Sequence, residues 1–175
     1  MFDVTIEPGD LIHCDIGINS QYVQLHTDMQ WVAYILREGE KQAPQDLQAL
    51  LDCGNRFRQI VMENMHVGKE GNAVFTAAMR QAKAEGIQPM LYSHPVGTFG
   101  HGAGPTIGLY TNQGFVPGTG ERTIEEDTCF ALELNVYDNI SCWDGQRVFM
   151  YLEENICHAA ENDYIDGHQT KLLLI

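Results

Sequence analysis

Basic residues are scarce in this chain. Ten Lys and Arg stand against 24 Asp and Glu, a formal net charge of −14 over 175 residues. A surface that acidic repels phosphate backbones and anionic headgroups, so neither nucleic acid nor a membrane is an expected partner. No apolar run approaches the roughly 20 residues of a membrane-spanning helix. The opening residues, MFDVTIEPGD, hold neither a basic stretch nor an apolar one, so no secretory leader is expected. The five cysteines, at 14, 53, 129, 142 and 157, are odd in number and form no CxxC, which points to reduced thiols and a cytoplasmic protein. GxSxG, Walker A and HExxH motifs are all missing. The run Gly102 to Gly108 lacks the GK[ST] ending of a phosphate loop.

Hydrophobic residues make up 44% of the chain, enough for a core, and residues 1–175 read as a single domain without linkers. Pro8-Gly9 marks a turn before an extended apolar segment, Asp10 to Gly17. Tyr22 to Leu36 carries Val23, Trp31, Val32, Tyr34 and Ile35, which favour strands. Over 44–65, Leu47, Leu50, Leu51, Phe57, Val61 and Met65 recur at helical spacing, with one wider gap around Gly54 and Pro44 suited to the first position. A second helix is expected over 72–85, with Asn72 as N-cap and Gly86 just past its end. Residues 87–120, rich in glycine and proline, alternate short strands with loops. Residues 128–137 and 147–158 return to strand character. Strands, two helices, then strands predict an α+β fold, with helices covering one face of a mostly antiparallel sheet.

One short repeat stands out. Thr5-Ile6-Glu7 recurs as Thr123-Ile124-Glu125, and ten residues after each threonine an acid lies within an apolar strand, Asp15 in one copy and Glu133 in the other. Two related strand pairs would each deliver one carboxylate to a shared site. Glu153 likewise follows Phe149, Met150, Tyr151 and Leu152. Buried ionised carboxylates are paired or bind metal. For any single acid an outward-facing position or a pair with Arg or Lys is the plainer account. For the set that account weakens, because few of the ten basic residues lie near these strands. Asp28 reads as a turn residue or, thirteen residues after Asp15 across an expected hairpin, as its partner on one face.

His101, centred in Gly97 to Gly104, is either a loop histidine or an imidazole that the surrounding glycines let project into a site. His66 and His168 read as loop residues, His13 and His158 as structural, and His26 and His94 as supporting positions near the site. Four carboxylates and one imidazole suit two divalent cations, Mn, Fe, Co or Zn in preference to soft copper. A pair about 3.5–4 Å apart lowers the pKa of a bridging water and stabilises a tetrahedral intermediate.

In this order and context the residues resemble the M24 metallopeptidases, the pita-bread family of methionine aminopeptidases, Xaa-Pro aminopeptidases and prolidases. Pro8-Gly-Asp10 through Asp15-Ile-Gly17 resembles the family's PGD…DxG strand, and Asp28 its second Asp. Gly100-His-Gly-Ala-Gly104 resembles its GHGxG motif, Glu133 the Glu of its EPG strand, and Leu152-Glu-Glu154 its final hydrophobic-Glu-acid motif. The resemblance runs from about residue 5 to 170. It implies a pita-bread fold whose curved sheet is covered here by two helices. It implies Asp15 on one metal ion, His101 and Glu133 on the other, and Asp28 and Glu153 bridging, with Glu153 chosen as the first acid of its pair. It also implies that Glu133 assists proton transfer from the metal-bound water.

The departures matter. The Asp15–Asp28 spacing is two residues longer than the family's, and Glu133 is followed by Leu134-Asn135 in place of Pro-Gly. A second histidine, expected seven residues after His101, is Gly108. His94 or Tyr110 would then supply its role, so Glu133 and His94 are the catalytic candidates. The part of the family's catalytic domain that precedes the PGD strand has no counterpart, so the chain is expected to represent the C-terminal part of that domain. The resemblance implies a dinuclear aminopeptidase of the Xaa-Pro type acting on peptides. The alternative is a weak or inactive pita-bread module that binds metal, peptide or protein. Two helices leave part of the sheet bare, and Leu172 to Ile175 has no obvious place. A homodimer, or a partner carrying the missing part, is therefore expected.

Overall fold

The computed structural model describes residues 4–22, 24–97, 100–158, 162–165 and 167–175. Among them eleven strands and two α-helices follow in order. They are β1 (Leu11–Ile16), β2 (Asn19–Ser20), β3 (Leu25–His26), β4 (Met29–Tyr34), α1 (Gln45–Asn64), α2 (Gly71–Ala84), β5 (Pro89–Leu91) and β6 (His94–Gly97). Then come β7 (Gly100–His101), β8 (Thr128–Ile140), β9 (Gln146–His158), β10 (Asn162–Tyr164) and β11 (Leu173–Leu174). Nine strands join one sheet in the order β1-β4-β9-β8-β6-β7, with β10 beside β9, β11 beside β4 and β5 beside β8. β2 and β3 pair separately. Every pairing is antiparallel except β11 with β4. The α+β layout expected from the sequence is therefore present.

β8 and β9 form the spine of the sheet. They pair without a break from Thr128↔His158 to Ile140↔Gln146. A strand turns successive side chains to opposite faces. Phe130, Leu132, Leu134 and Val136 on β8, with Val148, Met150, Leu152 and Ile156 on β9, join one core cluster with Leu47, Leu51, Phe57 and Val61 of α1. The intervening residues of both strands face the other way, and the polar side chains of interest lie there. The gap in the apolar spacing of α1 has a cause. A Cβ on Gly54 would stand 2.4 Å from Leu152 Cδ1. The missing side chain lets the helix lie close to the sheet.

Several local expectations change. Asn72 is not an N-cap: Glu70 holds that position and Asn72 lies inside the first turn of α2. Its buried amide instead clamps the 116 loop, donating to Val116 O at 3.0 Å and accepting from Val116 N at 2.9 Å. The strand character read over Tyr22 to Leu36 is divided between two elements. β3 folds back on β2, Gln24 takes a positive φ, and β4 starts only at Met29; Val23 lies outside the described residues. β1 is exposed from His13 to Ile16, where burial was expected, because it lies at the sheet's edge beyond the helices. The C-terminal segment does have a place. Leu172 is buried, β11 pairs with Ala33 and Tyr34, and Ile175 exchanges backbone hydrogen bonds with Tyr34 and Leu36. No helix of the described residues is long and apolar enough to cross a membrane.

Candidate metal centre

A single register line crosses four strands. Asp15 on β1 stands opposite Gln30 on β4, Gln30 opposite Glu153 on β9, and Glu153 opposite Glu133 on β8. Directly opposed residues share a face of the sheet, with Cβ atoms about 4.5–5.5 Å apart. The two acids of the Thr-Ile-Glu repeat thus stand at the two ends of one row. Asp28, in the bend between β3 and β4, completes the acid set. One oxygen from each of Asp15, Asp28 and Glu153 lies within 4.8 Å of the others.

The imidazoles come from the far side. β6 pairs with β8 through His94↔Ala131, and this sets His94 beside Glu133. His94 Nε2 lies 3.8 Å from Glu133 Oε2 and 3.8 Å from Asp28 Oδ2. His94, Glu133 and Glu153 form a second group within 4.8 Å, and Asp28, His94 and His101 a third. The β6–β7 hairpin brings His101 back over His94, their rings stacked at 3.8 Å between centroids. His94 is buried and His101 exposed. His26 on β3 sits beside Gly100. All five residues expected as ligands converge here, joined by His94.

Burial dominates the electrostatics. It pushes the Glu133 carboxyl up to about 7 and that of Glu153 up to about 9, with neighbouring acids adding to both and a Gln30 hydrogen bond opposing. Asp28 is raised for the same leading reason. His94 is held below the usual imidazole value, first by burial, against which the Pro95 carbonyl acts. The Gln30 hydrogen bond only partly offsets burial, and a cation would relieve these acids further. His94 Nε2 and Glu153 Oε1 are buried with no hydrogen-bond partner among the described residues. Unpartnered donors of that kind, in a set of carboxylates and imidazole, fit borderline or hard divalent ions.

The sequence left other contributors unseen. Ser93 clamps the Glu133 backbone, its Oγ accepting from Glu133 N at 3.0 Å and donating to Glu133 O at 3.1 Å. Glu154 faces away from the site, buried against Arg58 of α1. His168, read as a bland loop residue, lies 2.9 Å from Glu154 and stacks on Tyr164. Gly108 is not a vacated histidine position. Its φ is +76°, and a Cβ there would stand 2.2 Å from Leu91 O and 2.7 Å from the Phe75 ring. The site's second imidazole stands instead seven residues after His94, at His101. A cleft of about 380 Å³ opens beside the pair, lined by Tyr92, Leu109, Tyr110 and Glu133 among others.

Comparison with known proteins places this geometry. The sequence profile of metallopeptidase family M24 matches residues 3–160. No curated protein matches the sequence. Among solved structures, an X-Pro aminopeptidase from Thermotoga maritima superposes with a TM-score of 0.71 at 16% identity, over 97% of this chain and 43% of its own. A methionine aminopeptidase from Rickettsia prowazekii gives 0.63 at 17%, over 93% of this chain and 66% of its own. The N-terminal domain of the FACT complex subunit SPT16 from Eremothecium gossypii gives 0.70 at 11%, over 97% and 37%. The chain thus spans less than half the length of the Thermotoga maritima enzyme. Its curled sheet with two helices is part of a pita-bread fold, and the chain belongs to metallopeptidase family M24.

Proposed function

We propose that this chain is a metal-dependent peptidase module that removes the N-terminal residue of peptides, with Xaa-Pro peptides as substrates and two divalent ions (Mn, Co, Fe or Zn) as cofactors. One observation carries the reading. The groups His94–Glu133–Glu153 and Asp15–Asp28–Glu153 overlap at Glu153, and Asp28 of the second lies 3.8 Å from His94 of the first. Overlapping groups support two ions that share carboxylates. On this reading His94 and Glu133 would hold one ion and Asp15 the other, with Asp28 and Glu153 available to both. His101, given the ligand's place from the sequence, is reassigned to the position facing substrate, and His94 takes the ligand's place.

Ions held there would supply Lewis-acid polarisation of the scissile carbonyl and acidify bound water. The chain's own groups do the rest. Glu133, beside both His94 and Glu153, is the carboxylate placed to take a proton and pass it to the leaving amine. His101, exposed and stacked on His94, is suited to donate a hydrogen bond to the carbonyl oxygen as charge develops there. Tyr92, Leu109 and Tyr110 offer apolar walls to a substrate side chain.

A second reading is a weak or inactive module that binds peptide or protein. It is favoured by the span of the match and by the shared fold of a domain named as part of a FACT complex. Hydrolysis of Xaa-Pro and Met-initiated peptides with added Mn or Co separates the two. The peptidase reading expects turnover that Glu133→Gln lowers by about 10²–10⁴-fold. Metal uptake without turnover supports the binding module.

A further inference from the structure

Gln30 is the one member of the four-strand row that is not an acid. We infer that Gln30, oriented by His13, is a positioning residue that fixes which oxygens of Glu133 and Glu153 are offered to a cation. The inference rests on the metal-site reading above. The Gln30 amide donates to Glu133 Oε1 at 2.8 Å and to Glu153 Oε2 at 2.8 Å. An amide nitrogen has two hydrogens, and both are thereby used. The partner oxygens are the ones left over. Glu133 Oε2 lies 3.8 Å from His94 Nε2, and Glu153 Oε1 is buried with no hydrogen-bond partner among the described residues. One amide therefore takes one oxygen from each carboxylate and leaves the other turned to the site.

The orientation of the amide is itself fixed. With a cation in the site both carboxylates would be ionised and accept only, so the amide nitrogen must face them and its oxygen must face away. That oxygen lies 2.8 Å from His13 Nε2, so His13 carries its proton on that nitrogen and donates it. The His13 ring rests near Tyr151, 5.3 Å between centroids. Gln30 is 3% exposed, so bulk water is a poor substitute for any of these bonds. Without the amide two opposed carboxylates would face each other with nothing to set their rotamers. Hydrogen-bond partners behind metal ligands commonly change affinity by about 10–100-fold.

The test uses the whole chain stripped of metal by chelator and titrated with Co(II) by calorimetry, with the visible absorption of the Co(II) complex recorded alongside. Gln30→Met should weaken binding by about 10–100-fold and shift the absorption bands. His13→Phe keeps a ring near Tyr151 and removes the N–H. It should weaken binding in the same direction by a smaller factor, and His13→Gln, which returns an N–H donor, should recover part of the loss. His13 is exposed, so these variants carry the test should Gln30→Met fail to fold. Variants with wild-type urea midpoints, wild-type Co(II) affinity and an unchanged spectrum would overturn the role of Gln30 and leave the metal site standing. Wild-type chain that takes up no Co(II) or Mn(II) would overturn the metal-site reading itself, and this inference with it.

Discussion

Glu153 and Glu154 adjoin on β9 and point to opposite faces of the sheet. Glu153 stands in the row with Gln30 and Glu133, and among the described residues no ion pair joins it to Arg or Lys. Glu154 lies in the helix layer, paired with Arg58, and both side chains are fully buried. Gln169 N also donates to Glu154, so the same carboxylate anchors the C-terminal segment. The period of two along a strand thus divides one acidic pair between a site and a structural clamp.

Removing one partner of the clamp should be costly. A buried charge stripped of its counter-ion typically destabilises by about 3–5 kcal/mol. Arg58→Met is expected to lower the urea unfolding free energy by about that amount, with the C-terminal segment loosened as well. Glu153→Gln, which replaces a side chain that the metal-free native chain holds protonated by a neutral one of the same shape, should leave stability nearly unchanged in chelator near neutral pH. Equal losses for both substitutions would show that the two faces are not distinct in this way.

The pH dependence of the metal-free chain follows from the raised carboxyls. An unfolded glutamate ionises near 4.3. The native chain holds the proton until about 7 at Glu133 and about 9 at Glu153. Between those values the native state binds more protons than the unfolded one, so stability falls as pH rises. His94, depressed by burial, acts in the opposite sense but only below the usual imidazole value near 6.5. Urea midpoints in chelator should therefore fall from pH 6.5 to 9. Added Mn(II) should reverse the trend, because metal competes with protons for the same oxygens. A flat or rising profile in chelator would count against the burial of these acids.

Self-association is expected at the sheet's edge. β1 pairs only with β4 among the described residues, and Ile16 and Ile18 are 53% and 64% exposed beside it. An open strand edge with exposed apolar side chains is a surface that another strand can cover. Light scattering at micromolar concentration should give a dimer of this chain, and Ile16→Lys should shift it to monomer. A wild-type monomer would exclude that edge as a contact between copies.

The sequence disclosed what periodicity controls. The apolar spacing of α1 and the alternation in β8 and β9 were legible, because burial on one face demands those patterns. Gln30 was not, since a glutamine in a strand carries no pattern of its own and gains meaning only from a register 103 and 123 residues away. Asn72 misled because the amide that caps a helix serves equally to clamp a loop. Arg58 gave no sign of its partner in Glu154, since the pairing joins a helix to a strand far along the chain. The histidines were available in principle. His94 and His101 stand seven residues apart, with Gly97 three after the first, but the glycine-flanked His101 drew the reading and pushed the second position onto Gly108.

That exchange of histidines can be decided by measuring metal and turnover on the same variants. His94 is buried, its Nε2 lacks a hydrogen-bond partner among the described residues, and it groups with Glu133 and Glu153. His101 is exposed and, among the described residues, groups only with Asp28 and His94. A buried, unpartnered nitrogen gains most from a cation, whereas an exposed one is free to meet substrate. His94→Ala should therefore lose an ion, seen as a drop in metal content by atomic absorption after gel filtration. His101→Ala should keep its metal and lose turnover by about 10²–10³-fold, as expected for a group that stabilises charge developing on the carbonyl oxygen. The opposite pattern, metal lost from His101→Ala and kept by His94→Ala, would return His101 to the ligand's place and leave His94 as the residue that faces substrate.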